Sequence, residues 1–418
     1  ASDVKGGCIM PEYNEPRTTI YIYDVSDRDA PKQKEKISLT GYYQNSRMIG
    51  DYVYVIANNY VYRDIVLPMI ETNGNKKIIQ AQDISYIDTK DYSFQYTLVV
   101  AVNINNGETS EEVMLSGNSQ TIYVSQDNIY LTATQYPNYF WGMPVTDEKE
   151  KTLISKVSID KDEIEFVATG SAPGHLLNQF SMDEYKGNLR IATTSGDLWG
   201  QGEDASQNNV YVLDEDLNII GKLEGLAPGE KIYSVRFMEK RAYVVTFKKV
   251  DPLFVIDLSN AEKPEVLGKL KIPGYSDYLH PYDENHIIGV GKEAVDAESE
   301  LMQQRNLDFA WYQGMKIAIF DVSDVEHPVE MHKVVIGDRG TDSEALQNHK
   351  AFLFDKEKEL LVLPITLAEI QGEKTQDNQY GEITFQGAYV YNINLEDGFN
   401  LKGRITHYDE NEVEDKSG

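Results

Sequence analysis

The chain has 418 residues, of which 41% are hydrophobic and 11% aromatic, and it carries one cysteine and a formal net charge of −29. A chain this acidic repels polyphosphates, which argues against a nucleic-acid partner, and one cysteine cannot form an internal disulfide. No apolar run reaches the roughly 18 residues that a membrane-spanning helix needs, so no transmembrane segment is predicted.

A short phrase occurs three times, each time directly after an alternating run of β-branched or aromatic residues. It reads DVSDRDAP from Asp24, DLSNAEKP from Asp257 and DVSDVEHP from Asp321. An apolar alternation that ends in Asp, Ser and Pro predicts a strand running into a turn, in which the Asp and Ser side chains hydrogen-bond the turn backbone. Repetition at intervals of tens of residues is typical of solenoids, propellers and arrays.

Two classes of strand pair, outer and inner, are predicted along the chain. With the three copies, four weaker relatives at 96–104, 152–159, 209–214 and 387–394 make seven outer strand pairs. Six further hairpins, each with two alternating runs around a polar turn, are predicted inner pairs at 46–57, 121–132, 180–193, 235–247, 278–291 and 351–365.

A four-stranded antiparallel sheet repeated around an axis is a propeller blade. We therefore predict an all-β protein, a β-propeller of four-stranded antiparallel blades with seven blades, one of them incomplete; six or eight blades remain alternatives. The first outer pair, around Asp24, lacks an inner partner, so either the ring closes with an incomplete blade or the chain is a piece of a longer protein. Residues 1–418 are predicted to form a single domain, with 406–418 as an acidic, flexible tail.

Unusually long connections separate the second and third strands of several predicted blades. Connections of this length are often functional. They span 58–95, 136–151, 195–208, 292–314 and 367–385. The segment 292–314 has the best helix propensity in the chain and is expected to form one short helix.

Four longer stretches resemble a known family. They are GYYQNSRMIGDYVYVI, YSVRFMEKRAYVVTFKKVDPLFVIDLS, GYSDYLHPYDENHIIGVGKEA and GTDSEALQNHKAFLFDKEKELLVLPITLAEI. They resemble archaeal and bacterial secreted proteins that carry a C-terminal β-propeller domain distantly related to WD40 repeats, and the resemblance covers residues 7–410. It implies the propeller fold and an extracellular or cell-surface location, but no established reaction. Longer members continue on both sides with strand-rich sequence, including hairpins that would supply the missing inner pair.

The starts of the inner hairpins are polar, which a plain hydrophobic core does not require. Since the first strand of each blade lines the channel of a propeller, these segments predict a polar ring there. Arg47 and Arg236 occupy similar positions in it and are expected to pair with carboxylates, the alternative being an anion site. The ring is predicted to contain Asn45, Arg47, Asn178, Ser234 and Arg236.

Two of these segments are rich in potential metal ligands. Oxygen ligands suit calcium or magnesium, whereas histidine with carboxylate suits zinc or manganese, so calcium or another divalent cation is the cofactor to consider. The spacing matches no defined metal motif. In the alternative interpretation Tyr282–Asn285 is a hairpin turn, and His280 and His286 are paired strand positions satisfied by neighbours. The candidate ligands are Asp277, His280, His286, Asp342, Glu344 and His349.

The stretch YPNYFWGMP, at 136–144, forms a candidate aromatic loop face. Exposed rings there would stack on a glycan or anchor a protein partner, unless the loop folds back over its own blade. Trp199 and Trp311 lie in two other long loops. The candidate residues are Tyr136, Tyr139, Phe140 and Trp141.

These patterns favour a non-catalytic, extracytoplasmic binding or scaffold module for a protein, cell-envelope or carbohydrate partner. No nucleophile elbow, zinc-protease motif, dinucleotide fingerprint or phosphate-binding loop is present. The alternative is a metal-dependent hydrolase or lyase with its ion at the channel mouth. A third interpretation is a structural surface-layer component that self-associates through unpaired edge strands.

Overall fold

The computed structural model describes most of the chain, and the described residues fall into two compact units. It describes 16–61, 65–87, 94–117, 119–137, 139–140, 143–144, 149–198, 200, 202, 205–247, 250–296 and 310–408. The first unit comprises 1–135 with 152–171, and the second comprises 136–151 with 172–418.

Three sheets build the first unit. The first sheet has the strand order β1-β2-β5-β6, the second β3-β4-β8-β9-β7 and the third β10-β11-β14-β15. All strand pairs are antiparallel in the first two sheets except β7 with β9, which is parallel. The strands are β1 (Arg17–Asp24), β2 (Lys32–Thr40), β3 (Tyr42–Ile49), β4 (Tyr52–Tyr60), β5 (Met69–Thr72), β6 (Asn75–Ile78), β7 (Ile84–Tyr86), β8 (Gln95–Asn103), β9 (Thr109–Ser116), β10 (Thr121–Val124), β11 (Asn128–Gln135), β14 (Lys151–Asp160) and β15 (Glu163–Pro173).

Four sheets build the second unit, each from four consecutive strands in the order of the chain. A short ribbon of β12 (Tyr139–Phe140) and β13 (Met143–Pro144) accompanies them. The strands are β16 (Met182–Tyr185), β17 (Asn188–Ser195), β18 (Gln207–Leu213), β19 (Ile219–Leu226), β20 (Lys231–Met238), β21 (Arg241–Phe247), β22 (Val250–Asp257), β23 (Glu265–Pro273), β24 (Tyr275–Asp283), β25 (His286–Asp296), β26 (Ala310–Asp321), β27 (Val329–Ile336), β28 (Leu353–Asp355), β29 (Leu360–Glu369), β30 (Glu382–Asn394) and β31 (Gly398–Ile405).

Helical structure in the described residues is limited to single 3₁₀ turns. They span Ala81–Asp83, Gln179–Ser181, Glu344–Leu346 and His349–Ala351. No helix in the described part of the chain combines the length and the apolar character that crossing a bilayer requires. The ends of the segment expected to be helical, 292–296 and 310–314, belong to strands β25 and β26, and its middle, 297–309, lies outside the described residues.

The propeller prediction is confirmed, since seven principal sheets of mostly four antiparallel strands make up the described chain. All six predicted inner hairpins are present, from β3-β4 to β28-β29. The copies of the phrase at Asp257 and Asp321 end β22 and β26, the third strands of their sheets.

The first sheet differs from the expected half-blade. Its outer pair, β1 and β2, is extended to four strands by the hairpin β5-β6, which lies in the segment 58–95 that was expected to be a long connection. The hairpin turns at Asn73 and Gly74, both with positive φ, which is the backbone that a two-residue hairpin turn requires. This hairpin joins β2, and among the described residues β2 is the only strand that pairs with β1.

The repeated phrase forms the predicted turn. At Asp24, Asp257 and Asp321 the carboxylate accepts a hydrogen bond from the backbone N–H two residues further on, at N···O distances of 3.0, 2.8 and 2.9 Å. This arrangement closes the strand by replacing ladder hydrogen bonds with a local side-chain acceptor.

The described cores lie between neighbouring sheets of each unit, and central strands such as β8 are apolar on both faces. In β8, Leu98 and Val100 pack into a core with the first sheet, whereas Val99 and Ala101 pack into a core with the third. Since successive strand residues point to opposite faces, one continuous apolar run supplies two cores.

Replacing Asp321 tests the turn. Asp321→Ala is expected to lower the free energy of unfolding by about 1 kcal/mol, because the N–H of Ser323 loses its acceptor, whereas Asp321→Asn keeps an acceptor oxygen and should cost less. The hydrogen bonds from Ser323 lower the pKa of Asp321. The wild type should therefore lose this contribution as the pH falls below about 4, and neither variant should. Urea unfolding at neutral and acidic pH measures both effects; equal stability of the alanine variant would contradict the role of the turn.

Candidate functional site

The inner segments of all four sheets in the second unit converge on one group of side chains, the inner cluster, defined as Phe180, Arg236, Tyr278, His280, His349 and Phe352. The ring of Phe180 lies 5.4 Å from that of Tyr278 and 4.9 Å from that of His349, measured between centroids. Gln179, beside Phe180, places its amide nitrogen 3.4 Å from the His349 ring nitrogens. Residues 170 positions apart in the sequence are thereby in contact.

Arg236 is held by rings and oxygen acceptors. Its guanidinium carbon lies 4.5 Å from the centroid of Phe180, and its Nε donates to the carbonyl of Leu279 at 2.9 Å. Its Nη2 donates to the hydroxyl of Tyr278 at 3.3 Å. The expected carboxylate partner is therefore replaced, among the described residues, by cation–π contacts and neutral oxygens.

His280 lies among the rings of the inner cluster. Its Nδ1 is 2.9 Å from the hydroxyl of Tyr278, and its ring is 4.8 Å from Phe352 and 5.5 Å from Phe354. Burial, with a smaller contribution from the charge of Arg236, lowers the pKa of His280 to about 4. The imidazole is therefore neutral at physiological pH.

This lowered pKa predicts a pH dependence. The unfolded chain binds a proton at His280 near pH 6.5, whereas the folded protein does so only near pH 4, so stability should fall as the pH drops through this window. His280→Asn should remove that part of the loss, measured as the slope of the unfolding free energy between about pH 7 and pH 4. An unchanged slope would contradict a neutral, buried imidazole.

A second group of side chains, Lys292, Asp342 and Asp277, lies near the start of the inner strands. The Nζ of Lys292 is 2.9 Å from Oδ1 of Asp342 and donates to the carbonyl of Thr341 at 3.1 Å. Asp277 lies near both charges. Its burial raises the pKa of its carboxyl to about 7, because desolvation outweighs the stabilising charge of Lys292 and the charge of Asp342 adds to the effect.

Asp277→Asn tests this arrangement. An Asp that ionises near pH 7 when folded and near pH 4 when unfolded destabilises the wild type as the pH rises between these values. The difference in unfolding free energy between Asp277→Asn and the wild type should therefore shift in favour of the variant by more than about 1 kcal/mol when the pH is raised from about 4 to 8. Urea unfolding at the two pH values measures the difference; no change in it would contradict a protonated Asp277.

An aromatic surface adjoins these charges. We call it the tyrosine–arginine surface and define it as Tyr233, Trp311, Tyr312, Arg339 and Tyr380, with the buried Tyr275 in contact with Tyr233 and Tyr312. The ring of Tyr275 lies 4.6 Å from Tyr233 and 5.0 Å from Tyr312. The hydroxyls of Tyr233 and Tyr312 are 3.3 Å apart.

Arg339 fixes the outer part of this surface. Its guanidinium carbon lies 4.8 Å from the ring centroid of Trp311 and 4.5 Å from that of Tyr380. It donates to the backbone carbonyl of Tyr312 and to the hydroxyl of Tyr380, both at 3.2 Å. The ring of Tyr380 nevertheless remains in contact with solvent, at 65% exposure of the residue.

The residues of the predicted polar ring belong to both units. Asn45 and Arg47 lie on β3 in the first unit, where Asn45 accepts a hydrogen bond from the N–H of Ser46 and Arg47 is exposed. In the second unit Asn178 caps the 3₁₀ turn at Phe180, and Ser234 donates to the carbonyl of Ser276. Of the five predicted residues, only Arg236 belongs to the inner cluster.

The six candidate metal ligands occupy several separate places. Asp277 and Asp342 lie beside Lys292, and His280 and His349 belong to the inner cluster. His286 is hydrogen-bonded to Asp283 at 2.7 Å, on the other side of the turn formed by Glu284 and Asn285. Glu344 accepts from the side chain of Asn348 at 3.3 Å.

Among the described residues, no group of three or more His, Cys, Asp or Glu side chains is arranged to hold a metal ion. A cation at this site stays a prediction. The alternative interpretation agrees with the structure in one respect, since His280 and His286 both hydrogen-bond to neighbours.

The candidate aromatic loop face is described in part. Tyr136 is 61% exposed, and Tyr139 and Phe140 form β12. Trp141 and Trp199 lie outside the described residues. Sequence reasoning missed most of the tyrosine–arginine surface, although Trp311 and Tyr380 stand in two of the long connections that it selected.

The comparisons with known proteins agree with this architecture. The model of the family described as "Beta propeller domain" matches residues 3–418. The chain belongs to this family. An uncharacterized protein of Methanocaldococcus jannaschii is 32% identical over 414 residues, covering 82% of this chain and 62% of the relative. An uncharacterized protein of Archaeoglobus fulgidus is 42% identical over 217 residues, covering 52% of this chain and 30% of the relative.

This β-propeller domain therefore spans less than two thirds of the length of either relative. Among solved structures, a puromycin-hydrolyzing peptidase of Mycobacterium tuberculosis aligns with a TM-score of 0.39 and 10% identity, over 88% of this chain and 54% of that chain. At this level the likeness carries no inference about activity.

Proposed function

We propose that this β-propeller domain is a non-catalytic, extracytoplasmic binding module that holds a protein partner on the tyrosine–arginine surface. The observation that carries the proposal is the solvent-accessible arrangement of Trp311, Arg339 and Tyr380, with Tyr312 beside it. Tyr, Trp and Arg are the residues enriched at the energetic centres of protein interfaces. The extracytoplasmic location rests on the sequence resemblance described above.

The surface is preorganised, which favours binding. The side chain of Arg339 is already fixed by two rings and two oxygen acceptors, so little side-chain entropy is lost when a partner covers it. The segment that carries Tyr380 is fastened to β26, because Gln313 donates to the carbonyl of Asp377 at 2.9 Å and accepts from Lys374 at 2.7 Å. Rigid aromatic anchors of this kind present large contact area at low entropic cost.

The proposal predicts which variants lose the partner. Immobilised protein, incubated with solubilised cell envelope of the organism that makes it, should retain a protein that Tyr380→Ala and Arg339→Ala do not retain. The captured protein is then purified and titrated. Each variant should weaken its dissociation constant at least about tenfold, the effect expected for loss of an interface anchor.

Two controls define the outcome. Tyr21→Ala removes a tyrosine of similar exposure, 48%, from the first unit and should leave binding unchanged. Arg339→Lys keeps the charge and loses the planar stacking, so it should weaken binding nearly as much as alanine. A partner that binds all variants equally would contradict the assignment of this surface, and labelling confined to the cytoplasm would contradict the location.

A further inference from the structure

Arg236 of the inner cluster carries a positive charge to which no carboxylate of the described residues is bonded. Burial lowers the pKa of its guanidinium. The acidic side chain whose charge acts on it is Asp183, and that carboxylate is already bound by Arg190, whose Nε donates to it at 3.0 Å. A charge that is removed from water without a bonded counter-charge is unfavourable, so this position favours a bound anion.

The contacts of Arg236 leave one edge of its guanidinium open. The rings of Phe180 and Tyr278 lie against it, with centroids 4.5 and 5.6 Å from the guanidinium carbon. Nε and Nη2 donate to the carbonyl of Leu279 and to the hydroxyl of Tyr278. Nη1 has no hydrogen-bond partner within the described part of the chain, and it is not one of the buried side-chain atoms left unpaired there, so it is open to water. Its N–H groups are therefore available to an acceptor that approaches in the guanidinium plane.

His280 presents a second donor beside the first. The hydroxyl of Tyr278 accepts from Nη2 of Arg236, which can only donate, and it lies 2.9 Å from Nδ1 of His280. Because this hydroxyl has no other acceptor among the residues that the structure describes, its proton goes to Nδ1. The neutral imidazole then carries its own proton on Nε2. This Nε2–H has no partner in the described ranges and, like Nη1 of Arg236, is not closed to water.

Rings and an amide surround the two donors. Phe352 lies 4.8 Å from the ring of His280, and both Phe352 and Phe180 are partly exposed. The amide nitrogen of Gln179 lies 3.4 Å from the ring nitrogens of His349. A carboxylate accepts N–H bonds in one plane, and an apolar group attached to it would lie against the rings.

The charge of the chain narrows the class of anion. One guanidinium balances one negative charge, and a chain with a net charge of −29 repels a doubly charged group more strongly than a singly charged one. A carboxylate is therefore favoured over a phosphate.

We propose that the inner cluster binds the carboxylate of a ligand with an apolar body, with Arg236 as the charged donor and Nε2 of His280 as the neutral one. The same donors serve a small free acid and the C-terminal carboxylate of a polypeptide. The site shares no residue with the tyrosine–arginine surface, and it goes beyond the function proposed there by adding an anionic ligand.

Matched acids and amides test the role of the charge. Phenylacetate, as a free acid, and N-acetylphenylalanine, as a chain-end analogue, are titrated against the protein by calorimetry and ligand-observed NMR, with phenylacetamide and phenyl phosphate as counterparts. At least one acid should bind at millimolar concentration or below, and phenylacetamide should bind at least about tenfold more weakly than phenylacetate because it lacks the charge. Failure of both acids to bind, equal binding of the amide, or tighter binding of phenyl phosphate overturns the proposal.

The same titrations distinguish the two sources of the carboxylate. Tighter binding of N-acetylphenylalanine supports the site as a receptor for a polypeptide C-terminus. Tighter binding of phenylacetate supports a small free acid.

Variants locate the binding. Arg236→Gln should weaken the dissociation constant of the bound acid at least about tenfold, since the charge is lost. Gln179→Glu keeps the shape of a partly exposed side chain but adds a negative charge beside the site, so it should weaken binding as well. Arg404→Gln is the matched control: Arg404 also lies against a ring, 4.7 Å from the centroid of Tyr389, but it belongs to β31 and should not affect binding. Retention of binding by Arg236→Gln overturns the proposal.

The second donor is tested by the histidine spectrum. Long-range proton–nitrogen NMR of isotope-labelled histidines, assigned with His280→Asn, should show His280 protonated on Nε2 at neutral pH, and this signal should shift when the acid is added. Protonation on Nδ1, or an unchanged Nε2 signal in the acid-bound protein, overturns the assignment of this donor. None of these results depends on Arg339 or Tyr380, so this proposal and the proposed protein-binding function fail separately.

Discussion

The structure depends on one packing constraint: the central strands of several sheets, among them β8, β21 and β26, are apolar on both faces, so both faces must be covered. In β21, Val244 packs into the core shared with the preceding sheet, and Tyr243 packs into the core shared with the following one. In β26, Phe320 and Ile319 divide in the same way between two cores. A four-stranded sheet with two apolar faces is not stable alone. When several such sheets stack, each one buries an apolar face of its neighbour.

The same packing constraint bears on where the ionisable side chains of the candidate site lie. Sheets cover one another along their middles, and the ionisable groups of the inner cluster and its neighbours lie on or beside the segments where inner strands begin. Partial burial there shifts the pKa values of ionisable side chains and determines which partners they contact. Asp277 has a raised pKa, and His280 a lowered one, because both are removed from water, and Arg236 relies on rings and carbonyls.

Much of the fold could be predicted because its signals are local. The alternation that makes a strand and the Asp that ends it at Asp257 or Asp321 lie within a few residues of each other, and all six inner hairpins were found in this way. The hairpin β5-β6 was missed although Asn73 and Gly74 signal its turn, because the segment was interpreted as a single connection. The contacts of the candidate site could not be predicted in this way. Arg236 lies in the inner cluster, but alternation gives the face of a strand and not the residues that lie opposite it.

The sequence by itself determined that this protein is built of short antiparallel strands, where they turn, and that they repeat as propeller blades. Period-two alternation and turn chemistry act over a few residues and are readable without the rest of the molecule. Only the tertiary structure decided which side chains meet. The contact of Gln179 with His349 and the stacking of Arg339 on Trp311 depend on how separate segments of the chain pack. These contacts join residues far apart in the chain, and no local sequence pattern determines how two distant segments pack together.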